Sequence, residues 1–333
     1  MSLLGQEIQR SYRQACAEYQ EFKQEGWRRF VQRTIVERKI LDTPPMYTTE
    51  YGPVEVRVLA GRRNWMNVIW ALKSFYFFAR ADLPLYIHDG GLKPWQASQL
   101  QDHFPSAILI GAKDSDDFMA RALGSRWLYK SIQCRRREVA TRRVFDFFAM
   151  SKAEQILSID SSLIFFQQPV ELLSAIGSGS ANLFTEDRGP WYGLPASDLA
   201  ECFGIEDYPK INAGLSLIRR ESIDFEFIEQ CLRNANGLSR HRIDDHTLHV
   251  IASARAGASL LPRVYSVGVT LQWDSYLISK QYPAQARALL DEEGYDRLLR
   301  VGFPYELRRA ALIASGMPGE PRSSNLLTTH LPK

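Results

Sequence analysis

The chain has 333 residues, 41 Lys and Arg against 38 Asp and Glu, and a net charge of +3, with 45% apolar and 24% charged residues. Those fractions are ordinary for a globular chain with a sizeable core, and the charge is too small to imply nucleic acid by itself. No window has the eighteen or so uninterrupted apolar residues of a membrane span, and residues 1–10 lack the apolar region of a signal peptide. Cys16, Cys134, Cys202 and Cys231 form no Cys-x-x-Cys pair. That argues against a zinc site or a disulfide framework, and the expected location is the reducing cytoplasm.

Residues 6–40 predict a helix. Ile8, Tyr12, Ala15, Tyr19 and Phe22 recur at steps of four and three, and Trp27, Phe30, Val31 and Ile35 continue an apolar face past Gly26. The expectation is an N-terminal helical arm over residues 1–45 packed on the next domain. A homo-oligomer seam and a basic face at a membrane surface are the alternatives. Residues 42–53 read as a linker by their Pro and Gly content.

From Val54 a βα alternation begins. Val54–Ala60 predicts a first strand, 65–80 a helix, Leu83–His88 a second strand closed by the turn signal Asp89-Gly90-Gly91, and 94–103 a helix. Ala107–Gly111 is a short strand, 114–150 reads as helices, and Gln155–Ile159 is a strand that ends at Asp160. The succession predicts an α/β fold with a mostly parallel sheet flanked by helices. Further on, Ala181–Thr185 and Leu215–Arg219 predict strands, 186–209 a loop-rich stretch, 222–235 and 244–255 helices, and 258–261 and 264–268 strands. One large domain over 54–313 and a frayed tail over 314–333 complete the division.

Asp160 is the most informative residue. It interrupts two apolar runs, and a carboxylate there is costly unless something binds it. At the carboxyl end of a parallel strand it sits where open α/β sheets take ligands. Asp160 and Ser162, two apart in an extended segment, point the same way. A divalent cation, Mn²⁺ or Mg²⁺, held between them and a diphosphate would act as a Lewis acid on a leaving phosphate. The plain alternative is that Asp160 caps the helix near residue 169 or closes a turn. Glu186-Asp187 and Asp244-Asp245 are acidic pairs beside turns; from each, Asp187 or Asp245 would serve as a general base for an acceptor hydroxyl. Asp244 equally suits a helix N-cap. Trp191 and Tyr192 offer rings for a sugar, though loop aromatics more often pack. Arg135, Arg136, Arg137, Arg142 and Arg143 fall within nine residues.

The segment Ser158-Ile159-Asp160-Ser161-Ser162-Leu163-Ile164-Phe165-Phe166, followed by Pro169 and Glu171-Leu172, resembles the Asp-x-Asp loop of GT-A-fold nucleotide-sugar glycosyltransferases. Leu85-Tyr86-Ile87-His88-Asp89-Gly90-Gly91, Asn212-Ala213-Gly214-Leu215 and Asp244-Asp245-His246-Thr247-Leu248 resemble further segments of that family, in the same order, over residues 54–270. The resemblance implies a GT-A fold and a sugar transferase. It implies that Ala60, Gly61 and Asp89 line a nucleoside pocket and that Arg142 and Arg143 reach the diphosphate. Asp160, Ser161 and Ser162 would form the phosphate loop, and Asn212 and Gly214 would lie beside a sugar. The partners implied are a nucleotide-sugar donor and a glycan, lipid-linked or small-molecule acceptor. Two departures stand out. Ser162 replaces the second Asp, and residues 300–309 lack the C-terminal His that some relatives use as a metal ligand; His330 sits in the polar tail. A non-catalytic nucleotide-sugar or partner-binding protein is the alternative function. No Gly-x-Gly-x-x-Gly, P-loop or Gly-x-Ser-x-Gly pattern supports a dinucleotide, NTPase or serine-hydrolase reading.

Overall fold

Seven strands form the central sheet in the order β3-β2-β1-β4-β7-β6-β8. They are β1 (Val54–Ala60), β2 (Leu85–Asp89), β3 (Ile108–Ile110), β4 (Gln155–Ile159), β6 (Leu183–Glu186), β7 (Ile211–Arg219) and β8 (Ser259–Leu260). Pairing is parallel from β3 through β4 and between β6 and β8; β7 runs antiparallel to β4 and β6. A second sheet joins β5 (Leu163–Phe165), β10 (Ser279–Gln281) and β9 (Tyr265–Val267) in that order. The computed structural model describes residues 35–178, 182–187, 196–206, 209–234, 245–272, 274–283 and 286–315. Most of the expected N-terminal arm, with its oligomer seam, and nearly all of the tail with His330 lie outside those residues, as do Trp191, Tyr192 and Asp244.

The inner strands β1, β4 and β7 are buried on both faces, and alternation divides their side chains between two cores. Leu157, Ile159, Leu215 and Leu217 join the core under α1 (Trp65–Ala79), α2 (Pro94–His103) and the C-terminal helices. Ile156 and Ile218 join the core with α3 (Ala112–Gly124), α4 (Tyr129–Arg137), α5 (Arg142–Ala149), α8 (Phe225–Asn234) and α9 (Asp245–Ser253). α6 (Val170–Ser178) lies on the first core through Leu172 and Ala175, and α7 (Ala196–Phe203) on the second through Leu199; the C-terminal helices are α10 (Arg287–Leu289), α11 (Asp296–Arg300) and α12 (Phe303–Ala314). Glu55 and Arg57 are the charged exceptions within β1, and they pair with each other at 2.6 Å. A buried charge needs such a partner.

α1 is apolar nearly all round, as a helix packed between layers must be. It ends where Arg80 turns into the left-handed region at φ 50. Its Trp70 is fully buried and joins three distant segments. The indole stacks on Tyr295 at 4.6 Å and on Phe303 at 6.1 Å, and its Nε1–H donates to the Glu37 carbonyl at 3.0 Å. Residues 43–46 have no regular structure but are fastened: Lys73 Nζ donates to Thr43 Oγ1 and the Pro44 carbonyl, and Met46 N to the His103 carbonyl. The linker expected over 42–53 is therefore partly packed against α1 and α2. Trp70→Ala is expected to cost about 3–5 kcal/mol by urea denaturation, the range for emptying a buried aromatic site. A loss within 1 kcal/mol would mean that the C-terminal helices do not depend on this contact.

Candidate functional site

The chain leaves β1 toward β2 and β3 on one side of the sheet, then returns to lay β4 on the other side. That reversal opens a crevice at the carboxyl ends of β1 and β4, the usual ligand position in open α/β sheets. A cavity of about 220 Å³ occupies it. Leu59, Gly61 and Asn64 line it from the end of β1, Ile159, Asp160 and Ser161 from the end of β4, and Gly90, Val139, Ala140 and Arg143 close it.

Asp160 is placed by its backbone, whose N–H donates to the Gly214 carbonyl at 2.7 Å. Its side chain is satisfied on both oxygens. Oδ1 accepts from Ser162 Oγ at 2.6 Å and Ser162 N at 2.8 Å; Oδ2 accepts from Arg143 at 3.3 Å. Arg143 starts from α5, is 7% exposed, and spans the site. The same guanidinium donates to Asp245 Oδ2 at 3.0 Å and to the Ala213 carbonyl. Its Nε has no partner among the described residues. Burial acts to raise the Asp245 carboxyl, but Arg143, His249 and His246 outweigh it and hold it at about 2. His249 donates from Nδ1 to the Asp245 carbonyl oxygen at 2.8 Å, which fixes its tautomer. Asp245 thus pairs with Arg143 and stands behind the cavity wall.

Two residues absent from the sequence reading organise the rim. Asn64 Oδ1 accepts from Gly61 N at 2.6 Å while its Nδ2 donates to Ser161 Oγ at 2.8 Å, so one amide couples the loop after β1 to the loop after β4. Gln96 accepts from Lys93 N at the start of α2 and donates to the Arg62 carbonyl. The only cue to either was a polar residue beside a Gly-rich turn.

The structure brings Gly61, Arg143, Asp160 and Ser161 to the cavity wall and sets the other expected residues behind it. Ala60 is fully buried in β1. Asp89 Oδ1 closes its own turn by accepting from Gly91 N and Leu92 N, each at 2.7 Å. Arg142 donates to the Asp89 carbonyl at 3.0 Å and approaches Asp116. Asp187 Oδ2 accepts from Asn212 Nδ2 at 3.1 Å, and Asn212 Oδ1 accepts from Gly214 N at 2.7 Å. The Gln281 amide lies against Gly214 so closely that a Cβ there would stand 1.9 Å from Gln281 Oε1.

Asp160 and Ser162 are expected from the sequence to share a divalent cation; in the structure the two side chains are hydrogen-bonded to each other. Mg²⁺ and Mn²⁺ need several hard oxygen donors with open lone pairs. Here Ser162 turns its hydroxyl onto Asp160, and the second carboxylate oxygen faces a guanidinium. Among the described residues no group of three His, Cys, Asp or Glu is placed to hold a metal. Asp160, 26% exposed, is the one carboxylate among the described residues of the cavity wall, and an ion there would take its other ligands from a diphosphate and water.

No protein-family profile matches the sequence, and no curated protein matches it. Two solved structures superimpose with a TM-score of 0.50. Mouse xyloside xylosyltransferase 1 is 11% identical, over 73% of this chain and 99% of that one. The galactosyltransferase LgtC, determined with donor and acceptor sugar analogs, is 12% identical, over 80% of this chain and 98% of that one. The chain has the GT-A fold seen in glycosyltransferases.

The Asp245–Arg143 pair gives a signed pH dependence. A carboxyl held at about 2 contributes stability above its unfolded value near 4, and that stability is lost as pH falls toward 2. Asp245→Asn is expected to cost about 2 kcal/mol at pH 7 and to flatten this acid limb, measured by urea denaturation across pH. An unchanged limb would mean that Arg143 does not hold the carboxylate.

Proposed function

We propose that the protein is a glycosyltransferase that moves a sugar from a nucleotide-diphosphate sugar to an acceptor hydroxyl. The observation that carries this reading is the cavity at the β1/β4 reversal, where a phosphate-loop segment and a buried arginine meet. Gly61 and Gly90 present backbone without side chains, which lets a flat nucleoside approach closely. Arg143 lines the cavity and sets a positive charge beside the diphosphate, and its planar fork, fixed by Asp160, Asp245 and the Ala213 carbonyl, costs little to reorganise when charge develops on the leaving group. Asp245 and Asn64 are positioning residues, the first for Arg143 and the second for the two loops.

The sugar would lie toward Asn212 and Gly214. Asp187, hydrogen-bonded to Asn212, is the general base we assign to the acceptor hydroxyl. No step is assigned to a divalent ion. A non-catalytic binder has no separate observation in its favour.

Nucleoside diphosphates are expected to raise the melting temperature by several degrees at saturating concentration, since a ligand of the native state must stabilise it. The shift should persist in EDTA. Arg143→Ala and Asn64→Ala should each weaken binding by about tenfold. Absence of any shift across uridine, guanosine, cytidine, adenosine and thymidine diphosphates sinks the donor reading. A shift that vanishes with EDTA sinks its metal-free form.

A further inference from the structure

The surface along α4 differs from the rest of the molecule in charge. From Arg121 to Arg137 the sequence has six cations and no Asp or Glu. Arg135 turns inward onto Asp146 and Asp116, and Arg126 pairs with Glu226. The others are sorted outward. Tyr129, Gln133, Arg136 and Arg137 stand at i, i+4, i+7 and i+8 and are all exposed, while Ser131 and Arg135 on the opposite side are buried. That spacing places the exposed four on one helix face.

Trp127 extends this stripe. It sits just before α4 with φ 58, a conformation rare for a bulky residue. The backbone is held there: Trp127 N donates to the Gly124 carbonyl at 3.1 Å, and its own carbonyl accepts from Arg233 at 3.2 Å. The result is a tryptophan 67% exposed, set edge-to-face on the half-exposed Tyr129 at 5.9 Å. At its other end the stripe meets the cavity, because Val139 and Ala140, two and three residues past α4, are cavity wall.

We propose that the Trp127 turn and the outer face of α4 dock on an anionic phospholipid bilayer and set the Val139 rim of the cavity against it. Tryptophan and tyrosine are favoured at the headgroup level, where one end of the ring is apolar and the other wet. Arg136, Arg137 and Lys130 add the basic cluster that anionic headgroups attract. A single-stranded nucleic acid also favours basic, aromatic surfaces. Here the two rings pack edge-to-face on each other and leave no parallel slot for a base, which favours the bilayer. The docking stands on this surface alone; only its use, bringing a lipid-anchored acceptor hydroxyl to the cavity, rests on the transferase reading.

Full-length protein is mixed with phosphatidylcholine vesicles, or with the same vesicles containing phosphatidylglycerol, and sedimented. Binding is expected to the anionic vesicles alone and to fall as salt rises. Arg136→Glu with Arg137→Glu should lower the partition coefficient by about tenfold or more. Trp127→Ala with Tyr129→Ala should lower it several-fold and remove quenching of tryptophan emission by brominated lipid. Both variants should keep the parent melting temperature, so lost binding is not lost folding. Equal binding to neutral vesicles overturns the proposal. So does parental binding by the charge-reversed variant, which would place the contact elsewhere on the chain, or retention of an oligonucleotide with no retention of anionic vesicles. Vesicle binding needs no nucleotide, so its outcome is independent of whether the cavity accepts a sugar donor.

Discussion

A guanidinium taken out of water must be surrounded by acceptors, or its desolvation outweighs what folding supplies. Arg143 meets that condition with three acceptors drawn from three parts of the chain: Asp160 after β4, Ala213 in β7 and Asp245 at the start of α9. These contacts fix the end of the parallel part of the sheet against its one reversed strand. They also decide which way Asp160 faces. The geometry of the Asp160 loop, the low proton affinity of Asp245 and the closed end of the cavity all follow from where this one cation had to be put.

The sheet was largely legible because its strands obey simple patterns. β1, β2, β4 and β7 are apolar runs bounded by Gly, Asp or Asn, and the helices between them repeat at helical spacing. The small sheet was legible only at β9, which the strand expected over 264–268 contains. β5 is three residues of an apolar run with no boundary of its own. β10 reads Ser-Lys-Gln, polar in composition, yet Ser279 and Lys280 are fully buried. Lys280 is tolerated there because Glu293 meets it at 2.7 Å, thirteen residues later. No helix or strand periodicity marks that pairing, which joins a strand to a helical segment. The site shows the same division. Asp160, Ser161 and Gly61 are marked by local pattern, whereas Asn64 and Gln96 act through partners that only the folded chain brings near.

The charge arrangement explains how a familiar loop takes on different chemistry. With a carboxylate at 162, two like charges would repel and require a counter-ion between them. A serine at 162 donates instead of repelling, and its hydroxyl and backbone N–H saturate one oxygen of Asp160. Arg143 takes the other. One side chain shorter by a carbonyl group thus replaces a second carboxylate with an internal hydrogen bond to Asp160.

Gln281 lying flat on Gly214 has a consequence for how this protein tolerates change. The two residues belong to different sheets, and the amide occupies the volume that any side chain at 214 would need. The positions therefore form one steric unit. A larger residue at 214 requires the Gln281 amide to swing aside, and a smaller residue at 281 alone leaves a hole under the strand that anchors Asp160. Their mutational effects should not add, and over generations the pair is constrained to drift together or not at all.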